Sequence, residues 1–217
     1  MAATIVTTST APVRGALWAI DLDRIAPLEP RRGDYVLTET HSRVAELAAA
    51  IEVTAAVVRQ RLDRGCRAFV ARSRDDVIAS WLWVSTDREW AAPIRQDLHF
   101  ASDECHGWNA GTLPEHRCRG LCTALLRYAC REMTAEGRRL MWNGILDENL
   151  PSRRAHVAAG FRPVLRLTAV HMPPAPLRAR PADYADPELV ARARRMLAGD
   201  SQLELVASGS LAGEGRT

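Results

Sequence analysis

The sequence contains no lysine, so all 29 basic side chains counted among its 217 residues are arginines. A Walker A loop places a lysine on the nucleotide phosphates, and an enzyme that uses pyridoxal phosphate needs a lysine for its Schiff base. Both classes are therefore excluded. The arginines are dispersed along the chain, and with a formal charge of only +3 they indicate compositional bias more than a nucleic-acid partner.

Cysteines and long apolar runs are also scarce. The cysteines are odd in number and form no CxxC pair, which predicts reduced thiols in a cytoplasmic protein. Residues 1–12 lack a basic start followed by an apolar stretch, and no run of about 18 apolar residues occurs later, so we expect neither secretion nor contact with a membrane. His116, Cys118 and Cys122 lack the second half of a zinc site, and we predict no metal. The cysteines are Cys66, Cys105, Cys118, Cys122 and Cys130.

Apolar periodicity predicts strands and helices along most of the chain. The predicted strands cover 16–21, 34–38, 67–72, 77–85, about 99–113, 139–145 and 161–172. The predicted helices begin at Thr40 or Ser42, at Thr54, after Gly120 and after 147–151, with a last one at 187–197, and 86–98 is predicted to be polar and irregular. Because a helix joins the strands near residues 110 and 142, these two strands run parallel, and the order predicts an α/β fold with a mixed sheet.

The predicted domain covers residues 13–172, with a disordered stretch at 1–12 before it. A Pro/Arg-rich linker and a helix follow at 173–199, and the Gly/Ser-rich tail at 200–217 is predicted to be disordered. Within the long strand, Gly107 and Gly111 predict a bulge or a close ligand.

Residues 113–126 carry the most specific signal. A strand runs into a turn at Pro114, and a short loop containing Gly120 opens directly onto an amphipathic helix. The first turn of a helix has unpaired N–H groups and the positive end of the helix dipole, and glycine lets a ligand approach the backbone. The segment therefore predicts a phosphate-binding loop at the carboxyl end of a strand, where ligands enter open α/β sheets.

These residues resemble the acyl-CoA loop of the GNAT superfamily of N-acyltransferases. That loop reads Arg or Gln, two residues of any kind, Gly, one residue of any kind, then Gly or Ala, and 117–122 fills these positions after Pro-Glu-His at 114–116. A second family signature is matched by Asn149, Ser152, His156 and the pair Gly160-Phe161. The resemblance covers residues 66–172. It departs from the family at Cys122, where relatives have Gly or Ala, and at His156, where they commonly have Tyr.

The resemblance implies a central mixed, mostly antiparallel sheet flanked by helices, with a parallel strand pair splayed at the acyl-CoA site. It implies transfer of an acyl group, most often acetyl, from acetyl-CoA or another acyl-CoA to an amine of a small molecule or peptide. Two alternatives stay open: a transferase of this fold that uses aminoacyl-tRNA or a carrier-protein thioester, and a non-catalytic acyl-CoA-binding regulator. Both a monomer and a homodimer are compatible with the sequence.

In this interpretation, backbone N–H groups from 118–123 hold the pyrophosphate, and the Arg117 or Arg119 side chain and the Thr123 hydroxyl assist. The N–H of Thr112 or Leu113 polarises the thioester carbonyl, since Pro114 has no N–H. Asn149 contacts the pantetheine arm or fixes the loop. The predicted cofactor-binding residues are Thr112, Leu113, Arg117, Cys118, Arg119, Gly120, Leu121, Cys122, Thr123 and Asn149.

Acyl transfer needs a base for the acceptor ammonium, whose pKa is near 10.4 for an alkylamine, and an acid for the departing thiolate. Glu104 and His106 on the long strand are the predicted bases, and His156 is the predicted acid. Cys118 and Cys122 are interpreted as packing residues rather than as acyl-carrying nucleophiles. By analogy, the acceptor lies against 86–98 and the first two helices, and its predicted contacts are Trp90, Arg95, His99 and Asn109.

Overall fold

The computed structural model of the protein describes residues 11–24, 31–170, 177–197 and 203–205. Its strands are β1 (Val13–Asp21), β2 (Arg31–Arg32), β3 (Tyr35–Thr40), β4 (Arg67–Arg72), β5 (Ile78–Ser85), β6 (Arg88–Ala91), β7 (Gln96–His99), β8 (Glu104–Thr112), β9 (Leu140–Leu146), β10 (Arg162–Ala169), β11 (Leu177–Pro181) and β12 (Leu203–Leu205). Its helices are α1 (Val44–Ala50), α2 (Ala55–Asp63), α3 (Leu121–Ala135), α4 (Leu150–Ala159) and α5 (Pro187–Leu197). Short 3-10 turns cover Leu22–Arg24 and Pro114–His116.

Within these residues, one sheet has the strand order β12-β11-β10-β1-β9-β8-β5-β4-β3-β2. The β8/β9 and β11/β12 neighbours are parallel, and the other neighbouring pairs that the described ranges contain are antiparallel. Strands β6 and β7 form a separate hairpin. The predicted α/β fold, with a mixed, mostly antiparallel sheet flanked by helices, is therefore confirmed.

The two faces of the sheet carry different layers. Helices α3 and α4 cover one face, the α3 face, where Cys105 and Met141 enter an apolar cluster with residues of α3. On the opposite face, the α2 face, α1 and α2 cover β4 and β5, while α5 and the β6/β7 hairpin cover β1, β9 and β10. Because side chains alternate along a strand, His106, Trp108 and Trp142 lie on the α2 face.

Helix α3 forms for the reasons visible in the sequence. Gly120 takes a left-handed conformation (φ 72°) just before the first turn, and Gly137 (φ 80°) follows the last. Between them, an apolar stripe at helical spacing is buried against the sheet, and each fully buried leucine contributes roughly 1.5–3 kcal/mol. The predicted stripe, Leu121, Ala124, Leu125, Tyr128 and Ala129, is buried throughout.

Several elements differ from the prediction. Segment 86–98 contains the β6/β7 hairpin, and the single strand expected from about His99 is interrupted by a turn before β8 begins at Glu104. The predicted linker contains β11, which pairs with β10, and three residues of the predicted tail form β12 beside it. The disorder predicted for residues 1–10 and for most of 200–217 lies outside the described residues, as do the last two residues of the strand predicted at 161–172.

Candidate active site

A fork opens between the two parallel strands at the centre of the sheet. Strands β8 and β9 pair only from Glu104 opposite Leu140 to Gly107 opposite Asn143. Beyond that point, β8 stays with β5 and β9 stays with β1, so the gap between 108–112 and 144–146, here called the fork, is bordered by two strand edges that no longer pair with each other. An extended molecule carrying amide groups can pair with such edges.

A β-bulge shapes the β8 side of the fork. Trp83 pairs with Trp108 and Trp81 pairs with Gly111, so β8 has one more residue than β5 between these pairs, and Asn109 takes a left-handed φ of 46° there. The Trp81 ring lies directly over Gly111, where a Cβ would stand 2.2 Å from a ring carbon. The bulge expected from the strand glycines is therefore present, and Gly111 is required by the indole above it.

A buried amide marks the point where the strands part. The Asn143 side chain fills the space beside Gly107, with its Oδ1 atom 2.8 Å from the position of a Cβ on that glycine. Asn143 is buried, and its Oδ1 has no hydrogen-bond partner in the described part of the chain. A buried acceptor without a donor costs about 1–3 kcal/mol, so this atom is suited to an N–H that a ligand brings into the fork.

The β8 strand leads into a cradle of unpaired backbone N–H groups. None of the N–H groups of 118–123 has an acceptor among the described residues, and the first helical bond runs from Ala124 N to Gly120 O at 3.0 Å. Cys118 (φ 60°) and Gly120 both have left-handed backbones, and such turns gather N–H groups into an anion-binding concavity. The helix dipole of α3 adds positive potential at the same place.

Three arginines surround this cradle. Arg117 Nε donates to Thr112 O at 3.2 Å and Arg119 Nη2 donates to Glu115 O at 3.3 Å, so both brace the loop while their guanidinium groups stay exposed. Arg32, which the sequence did not single out, has its Nη2 atom 3.1 Å from where a Cβ on Gly120 would stand. Its guanidinium forms no ion pair in the described ranges, and its place in a distant hairpin gave no local signal.

Strand β3 holds the turn before the cradle. The buried Tyr35 hydroxyl lies 2.9 Å from Nδ1 of His116, and the two rings meet edge to face at 5.7 Å between centroids. This contact fixes the 3-10 turn at 114–116 and commits His116 to the loop rather than to a metal.

Of the donors predicted at Thr112, Leu113 and Thr123, some are already engaged within the protein and others are not. Leu113 N–H donates to Ala79 O at 2.9 Å and is therefore engaged with β5. Successive N–H groups of a strand point to opposite edges, so the Thr112 N–H faces the fork. The Thr123 hydroxyl donates to Ala155 O at 3.3 Å, which leaves its backbone N–H, not the predicted hydroxyl, for an anion.

His106 lies on the α2 face, one residue before the strands part. It is 5% exposed, stacks on Phe100 with ring centroids 5.5 Å apart, and its Nδ1 has no partner among the described residues. Burial lowers the pKa of His106 from 6.5 to about 4. The ring is therefore neutral at pH 7, and one of its two nitrogens carries no proton.

Glu104, the other predicted base, lies at the closed end of the strand pair. Its Oε1 accepts from Arg192 Nε of α5 at 2.7 Å, and its Oε2 accepts from Ala101 N at 3.2 Å. Arg192 also binds Asp103 at 2.7 Å and lowers the pKa of that carboxyl. Both Glu104 oxygens are thus engaged away from the fork, which argues against a role as base.

The side chains of His156 and Asn149 form hydrogen bonds within and at the start of α4. Asn149 Oδ1 accepts from Ser152 N at 3.1 Å and caps the helix. His156 is 2% exposed, and its Nδ1 donates to Ser152 O at 2.8 Å. Burial lowers the pKa of His156, and its Nε2 is left with a buried lone pair. A neutral ring in this state has no proton for a thiolate, contrary to the predicted acid role.

The acceptor contacts predicted on the hairpin face away from the sheet. In β6/β7, Glu89 and Leu98 are buried while Trp90 and His99 are exposed, because neighbours in a strand point to opposite sides. Arg95 lies in the exposed turn of the hairpin. The fourth predicted contact, Asn109, is exposed in the bulge of the fork.

The thiols of the loop and core are free. Burial raises the pKa of Cys122 to about 11 and that of Cys105 to about 12, so neither is a thiolate at neutral pH. In the part of the chain that the structure describes, no three His, Cys, Asp or Glu side chains come together as a metal site. None of the described helices is long and apolar enough to cross a membrane.

Comparison with known protein families matches residues 35–161 to the family described as Acetyltransferase (GNAT) family. No curated protein matches the sequence. Among solved structures, a GNAT-family protein from Novosphingobium aromaticivorans has a TM-score of 0.54 at 19% identity, over 74% of this chain and 64% of that one.

Two further structures have similar folds at low identity. A GCN5-related N-acetyltransferase from Sphaerobacter thermophilus has a TM-score of 0.54 at 16% identity, over 72% of this chain and 50% of that one. A GNAT-family acetyltransferase from Colwellia psychrerythraea has a TM-score of 0.52 at 13% identity, over 74% of this chain and 57% of that one. The chain thus spans less than two thirds of these neighbours, and at such identities the likeness establishes the fold.

Proposed function

Because the chain belongs to the acetyltransferase (GNAT) family, we propose that it transfers an acyl group, acetyl in the simplest case, from acyl-CoA to an amine of a small molecule or peptide. The observation that carries this proposal is the fork between β8 and β9, which leads along one strand edge to a cradle of unpaired N–H groups. A molecule with an extended amide-containing arm and a pyrophosphate at its end fits both parts.

The residues of the fork fit acyl-CoA. The cradle at 118–123 would hold the pyrophosphate, with Arg32 and Arg117 supplying charge. The exposed edge of β8 would pair with the pantetheine amides, and Asn143 Oδ1 would accept an N–H at the start of the fork. When bound, the thioester supplies an acyl carbon activated toward attack.

The Thr112 N–H supports the attack by facing the gap at the end of β8. A donor held by the sheet needs no reorganisation to stabilise the oxygen that becomes negative, and one such donor contributes about 10²- to 10³-fold to a rate. The carbonyl oxygen of the same residue, Thr112 O, accepts a hydrogen bond from Arg117, so this stretch of backbone is fixed in place.

His106 is the residue that we assign as the base. Its ring is neutral at working pH, its Nδ1 is unpartnered, and it lies on the α2 face where α1 and α2 would border the acceptor. Accepting a proton from the acceptor ammonium, directly or through one water, would leave the amine free to attack. Direct attack is favoured over an acyl-enzyme because burial keeps the Cys122 thiol protonated.

Calorimetry with acetyl-CoA, followed by an amine screen that detects the released CoA thiol, tests the proposal. Binding together with acceptor-dependent thiol release is the expected result. Binding without release by any amine would instead support an acyl-CoA-binding regulator. No binding of acetyl-CoA at millimolar concentration would reject the proposal, and an acyl carrier protein or aminoacyl-tRNA should then be tried as the donor.

A further inference from the structure

An arginine from α2 lies over two stacked indoles beside the fork. The Arg61 guanidinium carbon is 4.7 Å from the ring centroid of Trp108 and 5.2 Å from that of Trp83. The two indoles are themselves stacked, with centroids 6.0 Å apart and 29° between their planes. We call these three side chains the shelf. Trp108 directly follows Gly107, the last β8 residue to pair with β9, so the shelf stands at the opening of the fork on the α2 face.

The shelf is held rigidly from below. Trp108 Nε1 donates to Ser85 Oγ at 2.9 Å, and that hydroxyl donates to Glu89 Oε2 at 2.7 Å. Glu89 is buried, and Arg64 balances its charge at 3.2 Å. The Glu89 carboxylate therefore forms its direct ion pair with Arg64 and not with Arg61.

Two side chains of the shelf carry donors without acceptors in the described part of the chain. The Arg61 side chain makes no hydrogen bond or ion pair with any described residue, and its Nη1 is buried. Burial lowers the pKa of Arg61, with the nearby charge of Glu89 opposing this only in part. The indole N–H of Trp83 is also buried without an acceptor in the described part of the chain.

Buried polar groups in proteins are nearly always paired, and each unpaired one costs about 1–3 kcal/mol. The unpaired groups on the shelf are donors, and the charge of the guanidinium is offset by Glu89 only from a distance, with no direct ion pair in the described ranges. The chemistry that satisfies them is an anion that only accepts hydrogen bonds. A carboxylate matches best, because its planar pair of oxygens fits the planar edge of a guanidinium.

We propose that the shelf binds the carboxylate of the acceptor, so that the substrate is an amine that carries a carboxylate group. This inference rests on the proposed acyl transfer, because it places the acceptor on the α2 side of the fork. Gly107 and Trp108 are neighbours in β8, so a small amino acid would reach from the shelf to the fork.

The test compares amino acids with their carboxamides. Leucine, phenylalanine and β-alanine are each paired with the matching amide, and thiol release from acetyl-CoA is measured for both members. Binding of each to the CoA-saturated protein is measured by calorimetry, which needs no turnover. The variants are Arg61→Gln, which removes the charge, and Arg61→Met, which keeps a side chain able to pack on the indoles. Arg59→Gln, an exposed position on the same helix, is the matched control.

The wild-type protein and Arg59→Gln should favour at least one carboxylate over its amide by about tenfold or more, the value of one hydrogen bond to a charged group. Both Arg61 variants should lose that preference and keep their affinity for acetyl-CoA. Equal binding of acids and amides by wild type, or an unchanged preference in both Arg61 variants, would overturn the proposal that the shelf binds a carboxylate. If the protein binds carboxylates through Arg61 but never binds acetyl-CoA, the proposed acyl transfer is rejected and carboxylate binding at the shelf is retained.

Discussion

The two ends of β8 treat their polar groups in opposite ways. At the closed end, Glu104 is buried between Arg192 and the Ala101 N–H, and Asp103 shares the same arginine. At the open end, the strand has lost β9 as a neighbour, and the N–H groups of 118–123 that follow it have no acceptor in the described ranges. The Glu104 and Asp103 carboxylates at the closed end are satisfied by the protein itself, whereas the N–H groups of 118–123 at the open end are suited to a ligand.

We expect this contrast to separate structural from functional polar residues better than residue type does. Glu104 and His106 are two positions apart on one strand, and both can act as bases. One has its hydrogen-bonding capacity used by a distant helix, while the other keeps an unpartnered nitrogen beside the fork. The substitutions that follow test whether this difference in partners predicts a difference in role.

The largest expected effect comes from His106→Gln. If the ring is the base, kcat should fall by about 10²- to 10⁴-fold while the affinity for acetyl-CoA stays unchanged. His99→Gln is the matched control, because His99 is exposed on the outer side of the hairpin and should retain the wild-type rate. Steady-state thiol release and calorimetry measure the two quantities. A wild-type rate in His106→Gln would remove the proposed base.

Arg192→Ala tests the closed end. It leaves the buried Glu104 carboxylate without its cation, which should lower the free energy of unfolding by about 3–5 kcal/mol in urea titrations. Arg195→Ala, at an exposed position of the same helix, should cost less than about 0.5 kcal/mol. Adding Glu104→Gln to Arg192→Ala should recover part of the loss. A stable Glu104→Gln protein with no turnover would contradict the structural role of this carboxylate.

The pH dependence of stability offers a second test of His106. Its pKa is about 4 in the folded protein and near 6.5 when unfolded, so the folded state binds fewer protons between these values. The stabilisation is complete above pH 6.5 and is lost as the pH falls toward 4, with a span of about 3 kcal/mol. Subtracting the urea-unfolding curve of His106→Gln from that of wild type isolates this contribution. A difference that stays flat over this range would show that the ring is not held neutral.

Local signals explain what could be predicted from the sequence. Helix α3 is bracketed by Gly120 and Gly137 and has its apolar stripe between them, so it was visible without any tertiary information. The parallel course of β8 and β9 followed from the crossover helix between them. The cradle could be located for the same reason, because a loop, a glycine and a helix start lie within a few residues of each other.

What could not be predicted depends on partners far along the chain. The polar side chains of 86–98 predicted an irregular segment, but in the β6/β7 hairpin Glu89 is buried and its carboxylate is bound by Arg64 and Ser85. Strand β11 is short and exists because β10 offers it an edge. Arg61 has the pattern of an ordinary surface arginine, and only the pairing of β5 with β8 stacks Trp83 and Trp108 beneath it.

Gly120→Ala should weaken binding of acetyl-CoA by about tenfold or more, because the new Cβ would meet Arg32 and strain a left-handed residue in the cradle. Gly137→Ala is the matched control: it has the same left-handed backbone at the other end of α3 and open space around it. Both should lose about 1 kcal/mol of stability, and only Gly120→Ala should lose affinity in calorimetry. Equal affinities of the two variants for acetyl-CoA would show that the cradle is not part of the acetyl-CoA site.

His156→Phe gives the smallest expected effect. His156 donates its one proton to Ser152 O and packs edge to face on Phe161, so a phenyl ring should replace it with less than about a threefold loss in kcat, far below the 10²-fold or more that a catalytic acid contributes. Single-turnover release of the thiol measures this step directly. A loss of about 100-fold, with affinity for acetyl-CoA intact, would show that the His156 ring delivers the proton although its Nε2 has no hydrogen-bond partner. The presence or absence of hydrogen-bond partners would then not be enough to tell functional from structural residues, at the two ends of β8 as at α4.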